Sequence, residues 1–190
     1  MAGTGHRTVV ATCVCGSAAL ELIGAPIMTV GCYCDSCREA AEVLGDRMNA
    51  PPMTEDDGAT HFVIQRKDRV RCTRGDAILR EHRLTGDSKT RRVVATCCNA
   101  AMFLEFDSGH WLSVYANRLD PAERPSIEQR TMTGDRPFND DIPSPHRHTL
   151  SFMWRLMAAW AAMGQMTGSR LRTSRRQDRS GESTERSSAP

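Results

Sequence analysis

The sequence predicts a mainly β fold with one short helix in the domain and a C-terminal helix. Three observations predict it: β-branched and alternating segments recur between turn signals, one short stretch carries helix start and stop signals, and cysteines are clustered. At 190 residues, 39% hydrophobic and 5% aromatic, the chain supports one domain with a modest core and something extra. Strands are expected at Arg7–Val14, Ala18–Ile23, Met28–Tyr33, His61–Gln65, Arg69–Thr73, Ile78–Leu84, Arg91–Thr96, Met102–Phe106 and Trp111–Tyr115.

Between the third and fourth strands, Ser36-x-x-Glu39 has the form of a capping box, and Gly45 stands where a C-terminal glycine would stop Ala40–Leu44. Cys37 then falls at the first helical position, where the helix dipole favours a thiolate. The loop Ala50–Ala59, with Pro51, Pro52 and the run Glu55-Asp56-Asp57-Gly58, reads as solvated. The expected organisation is a zinc-binding β domain over 1–118, a proline-rich linker or arm over 119–148, an apolar helix over 149–167 and a disordered basic tail over 168–190.

A net charge of +2, from 25 basic and 23 acidic side chains, makes no case for a nucleic-acid partner, and none is expected. The apolar stretch Val9–Leu20 is broken by Thr12, Cys13, Cys15, Gly16 and Ser17, so it does not read as a signal peptide, and the expected location is cytoplasmic. In a reducing compartment, clustered cysteines point to metal or redox chemistry rather than to disulfides.

Seven of the eight cysteines form three clusters: Cys13 and Cys15; Cys32, Cys34 and Cys37; Cys97 and Cys98. Cys34-x-x-Cys37 lets two sulfurs from one turn reach a tetrahedral zinc with bonds of about 2.3 Å, and Cys32 adds a third from the same side of the extended segment. Three thiolates leave one coordination position open, the usual mark of a catalytic zinc, unless a histidine or fourth cysteine closes it. Such an electron-rich centre is a weak Lewis acid toward water and suits holding a substrate thiol as a thiolate. Cys13 and Cys15 on one hairpin, with Cys97 and Cys98 on a distant strand, could close a four-sulfur structural site. A thioredoxin-type dithiol at Cys34 and Cys37 is the redox alternative, opposed by Cys32 and by the missing βαβ pattern. Cys72 reads as an inert, partly buried thiol.

With Cys-x-Cys-Gly near the start, Cys-x-Cys-x-x-Cys-Arg some twenty residues on, and a cysteine pair before the last strands, residues 7 to about 116 resemble the glutathione-dependent formaldehyde-activating enzyme / CENP-V family. The segment Val70–Leu79 looks like that family's strand–glycine–strand hairpin. The resemblance implies a β-tent of antiparallel sheets stapled by two zinc ions per chain. It makes Cys13, Cys15 and Cys98 structural ligands and gives the catalytic-type zinc to Cys32, Cys34 and Cys37. It also implies carbon–sulfur lyase chemistry, joining glutathione and formaldehyde into S-hydroxymethylglutathione. Three departures bear on this: Tyr33 replaces a frequent histidine, Ala95 replaces the first cysteine of a Cys-x-x-Cys, and Asn99-Ala100-Ala101 replaces Gly-Thr-Pro. Cys97 must then take the ligand role, or that site keeps three sulfurs.

His61, His82 and His110 are candidates to complete the open zinc position, with nothing to choose among them, whereas His146 and His148 read as solvated linker residues. Arg38 could receive a substrate carboxylate, although plain surface charge suits it better. Leu150–Met166 is apolar nearly all round, with Arg155 its single charge, and is read first as a helix docked on protein, then as a helix on a membrane surface, aided by Arg170, Arg172, Arg175 and Arg176. The leading expectation is a zinc-dependent lyase acting on a small thiol such as glutathione. The competing one is a non-catalytic, zinc-stabilised binding module that docks a partner through this helix.

Overall fold

A computed structural model describes residues 7–163. Its strands are β1 (Thr8–Thr12), β2 (Ala19–Ile23), β3 (Met28–Cys32), β4 (Thr60–Arg66), β5 (Val70–Arg74), β6 (Leu79–His82), β7 (Thr90–Ala95), β8 (Ala100–Phe106), β9 (Trp111–Tyr115) and β10 (Gln129–Thr131), with helices α1 (Asp35–Gly45) and α2 (Leu150–Ala162). The fold is mainly β with one short helix and a C-terminal helix. All nine expected strands are present, with ends that differ by at most two residues. The three-residue β10 carries no alternating pattern long enough to signal a strand. The basic tail expected over 168–190 lies outside the described residues.

Strands β1-β2-β5 form a three-stranded antiparallel sheet, and β10-β3-β4-β9-β8-β7-β6 form a seven-stranded one in which only β10 pairs in parallel, with β3. The large sheet is buried on both faces, which explains its unbroken apolar runs. One face packs Val63, Val93, Met102, Phe103 and Val114 against Ala11, Leu20, Leu22 and Val70 of the small sheet. The other packs Met28, Val30, Phe62, Val94 and Tyr115 against Ala40 and Leu44 of α1 and Phe152 and Leu156 of α2. The result is three layers: small sheet, large sheet, helices.

Two local expectations change. Helix α1 begins two residues before Cys37, because Cys34 is its extended N-cap and the Cys34 carbonyl accepts from the backbone of Cys37 and Arg38; no side chain caps it, so the capping box does not form. Gly45 stays within the helix, and Asp46, in right-handed conformation, ends it. Residues 119–148 run as an arm along the large sheet. Arg130 in β10 anchors that arm with both Nη atoms 2.6 Å from the Asp140 carboxylate and its guanidinium over the Phe138 ring.

Candidate metal centres

The turn after β1 and the turn between β7 and β8 meet at the edge of the two sheets. In the first, Gly16 adopts φ +74°, a left-handed turn conformation in which its N–H donates to the Cys13 carbonyl; this brings Cys13 and Cys15 side by side. In the second, Asn99 adopts φ +54°, which closes Thr96–Asn99 between the paired residues Ala95 and Ala100. The four sulfurs of Cys13, Cys15, Cys97 and Cys98 lie within 4.8 Å of one another. Cys97 stands 3.2 Å from Cys15 and 3.7 Å from Cys13, and 3.9 Å from Cys98, so the adjacent pair enters the group together. The Ala18 N–H donates to the Cys13 sulfur at 3.2 Å, which suits a thiolate there. Hydrogen bonds from Ser17 hold the exposed Cys15 thiol down at about 6.

The second group is local. Cys32 ends β3, Cys34 caps α1 and Cys37 lies in its first turn. Their sulfurs are within 4.8 Å of one another, with Cys32 at 3.4 Å from Cys34 and 3.8 Å from Cys37. Among the described residues no fourth Cys, His, Asp or Glu donor joins them. Hydrogen bonds from Cys32 and Cys37 pull the Cys34 thiol far down. Its neighbour Cys34 pushes Cys32 up to about 12, and Cys32, Cys34 and burial push Cys37 higher still. Three thiolates crowded together repel, so the group favours one anion until a cation neutralises it.

All eight cysteines are free thiols. Sulfurs around a tetrahedral ion with bonds of about 2.3 Å stand roughly 3.8 Å apart. The spacings, from 3.2 Å to 3.9 Å, lie close to or somewhat inside that figure and exceed any disulfide length, so both groups could hold a metal ion.

His61, His82 and His110 do not complete the three-sulfur group. His61 Nε2 meets Asp57 Oδ2 at 3.1 Å, His82 lies against Arg47, and His110 Nε2 donates to the Leu156 carbonyl at 2.7 Å. Arg38 is taken up by Asp35, and Cys72 sits half-buried with its thiol donating to the Arg74 carbonyl. The reading of both arm histidines as solvated holds for His146, which stands in the open beside Asp135. It holds for His148 too, which is exposed, but that ring is not free. Thr131, paired in register with Cys32, holds His148 Nδ1 at 2.9 Å, Phe152 stacks on its ring at 4.5 Å, and it feels the charge of Cys34. Partial desolvation lowers its pKa.

Three further residues escaped sequence reasoning. Asp57 accepts at Oδ2 from the buried Tyr33 hydroxyl at 3.0 Å and at Oδ1 from the Ala59 N–H, an Asx turn hidden inside an acidic run. Arg130 lies beside the same hydroxyl. Arg92 is fully buried behind α1, where its Nη2 donates to the Ser36 carbonyl at 2.6 Å and the Tyr115 hydroxyl lies between it and Cys37. The Ser36 carbonyl and the Tyr115 hydroxyl are the polar groups that face this buried guanidinium. The visible signal is an arginine at an interior position of an apolar strand.

No family model matches the chain, and no curated protein matches it. Among solved structures, a Rhodobacter sphaeroides protein determined as a structural-genomics target is similar at 17% identity and a TM-score of 0.44, over 62% of this chain and 96% of that one.

Proposed function

We propose that both groups hold zinc and that the protein is a carbon–sulfur lyase-type enzyme. Its four-sulfur site is structural, and its three-sulfur site receives a small thiol such as glutathione. The observation that carries this reading is the donor count: four cysteines in one group, three and, among the described residues, no fourth donor in the other. Zinc held by Cys32, Cys34 and Cys37 would supply the positive centre that keeps a thiol ionised at neutral pH. In the reaction with formaldehyde a sulfur–carbon bond forms, the carbonyl electron pair moves to oxygen, and the thiol proton ends on that oxygen. His148, fixed through Nδ1 on Thr131, keeps Nε2 for carrying the proton. Arg92 lies behind Cys37 as a fixed countercharge. Eight free thiols suit a reducing, cytoplasmic location.

The test replaces zinc with cobalt(II) and follows the thiolate-to-cobalt absorption on adding glutathione. A changed spectrum that depends on Cys32, together with S-hydroxymethylglutathione formed from glutathione and formaldehyde, is the expected result. An unchanged spectrum, or a Cys32→Ser protein that unfolds as thoroughly as Cys13→Ser, would make both sites structural and remove the enzyme reading.

A further inference from the structure

Helix α2 buries one face and leaves another bare. Phe152 and Leu156 pack toward the large sheet, Met163 just beyond the helix is buried, and Thr149 caps the start by accepting from the Phe152 N–H at 3.1 Å. At 100° per residue, Leu150, Met153, Trp154, Met157 and Trp160 fall within about 120° of arc that adjoins the buried face. All five are exposed, Leu150 at 91% and Trp154 at 74%. Two tryptophans and two methionines in one bare stripe are more apolar surface than scattered exposure explains.

Charge indicates what covers it. Residues 142–177 contain six arginines, Arg147, Arg155, Arg170, Arg172, Arg175 and Arg176, and no carboxylate. Of these, Arg155 is paired with Glu128 at 2.5 Å. A second copy of this chain on the same face would bring two such cationic stretches together, and they would repel. An anionic surface neutralises them while the stripe enters its apolar layer, with indole rings at the boundary where tryptophan is favoured. No helix among the described residues is long and apolar enough to cross a membrane; with one face of α2 buried against the protein, the bare stripe beside it meets a surface lengthwise.

We propose that α2 docks the protein on an anionic lipid surface, with Trp154 and Trp160 inserted and the flanking arginines on the headgroups. This is independent of the chemistry at the cysteines. The experiment sediments full-length protein with sucrose-loaded vesicles of phosphatidylcholine alone or mixed with phosphatidylserine. The expected result is pelleting with the mixed vesicles, weakened by salt, a blue shift of tryptophan emission, and a loss of about tenfold or more in partitioning for Trp154→Ser/Trp160→Ser. Circular dichroism matching the parent shows that the variant is folded; both side chains are exposed. Replacing Arg170, Arg172, Arg175 and Arg176 with Ala weakens only the component that phosphatidylserine adds. Absence of pelleting, equal pelleting of parent and tryptophan variant, a tryptophan-dependent dimer by light scattering without vesicle binding, or RNA binding through the same residues in its place would each overturn the proposal.

Discussion

The four-sulfur group joins turns far apart in the chain, with Cys15 and Cys97 separated by 82 residues, whereas the three-sulfur group closes within the Cys32–Cys37 peptide. A metal in the first removes the freedom of a long loop and clamps the small sheet to the large one; in the second it ties together residues that β3 and α1 already hold. On the proposed reading, the same metal placed by distant or by local sulfurs would do different work. Long-range ligation would hold the fold. Local ligation, one donor short among the described residues, would leave a position for a substrate.

The largest test of that contrast is Cys13→Ser against Cys32→Ser. If each group holds one zinc as proposed, Cys32→Ser should lose about one metal ion per chain and Cys13→Ser at least one. Cys13→Ser should also unfold the sheets at physiological temperature, because the loss approaches a domain's whole margin of about 5–15 kcal/mol. Cys32→Ser should keep its circular dichroism. Cys97→Ser and Cys98→Ser should behave as Cys13→Ser does, since their sulfurs share that group. Equal unfolding by Cys13→Ser and Cys32→Ser breaks the comparison.

Proton release sharpens it. At pH 7 the metal-free three-sulfur group keeps protons on Cys32 and Cys37, both pushed up, and an anion on Cys34, pulled down. Loading a metal must expel about two protons, so affinity should weaken about 100-fold for each pH unit of acidification near neutrality. Competition with a chelator between pH 6 and 8, using the Cys13→Ser protein only if it stays folded and otherwise the site-resolved cobalt absorption, measures that slope. A pH-independent affinity would show that the thiols enter already ionised.

Arg92→Leu comes next. Removing a buried cation beside Cys37 takes away attraction for the anionic cluster, so metal affinity at the three-sulfur group should fall about 10- to 100-fold, or about 1.4–2.8 kcal/mol. The four-sulfur group, on the other side of the domain's core layers, should keep its metal. Loss from both groups alike would mean that Arg92 supports the fold and not the site.

Much of this was legible in the sequence where the signal was local. Alternation placed nine strands and cysteine spacing placed the Cys32–Cys37 group, because each depends on residues within a few positions of one another, whereas joining Cys13 and Cys15 to Cys97 and Cys98 rested on counting sulfurs and on the family resemblance. What escaped was non-local. β10 exists only because β3 offers it an edge, and His148 comes near enough to feel Cys34 only because Thr131 of that strand and Phe152 of α2 bracket it. Asp57 looked like one charge in a solvated run until the fold set the Tyr33 hydroxyl against it. Arg92 stood in plain view as a charge in an apolar strand, but its partner is a helix 56 residues away.

The smallest expected effect concerns that hydroxyl. Tyr33 sits between Cys32 and Cys34 and, by strand alternation, points away from both sulfurs, to where Asp57 of the 50–59 loop accepts a hydrogen bond from its hydroxyl and Phe138 of the arm packs edge-on at 5.4 Å. Tyr33→Phe keeps the ring and removes one hydrogen bond, so stability should fall by about 1 kcal/mol, read from urea unfolding. Asp57 retains His61 and the Ala59 N–H, which limits the cost of the lost donor. If the arm holds the three-sulfur group in shape, its cobalt spectrum should shift in this variant while the four-sulfur bands stay unchanged. A shift in both would mean that the two groups are mechanically coupled through the large sheet, and their division of labour would have to be abandoned.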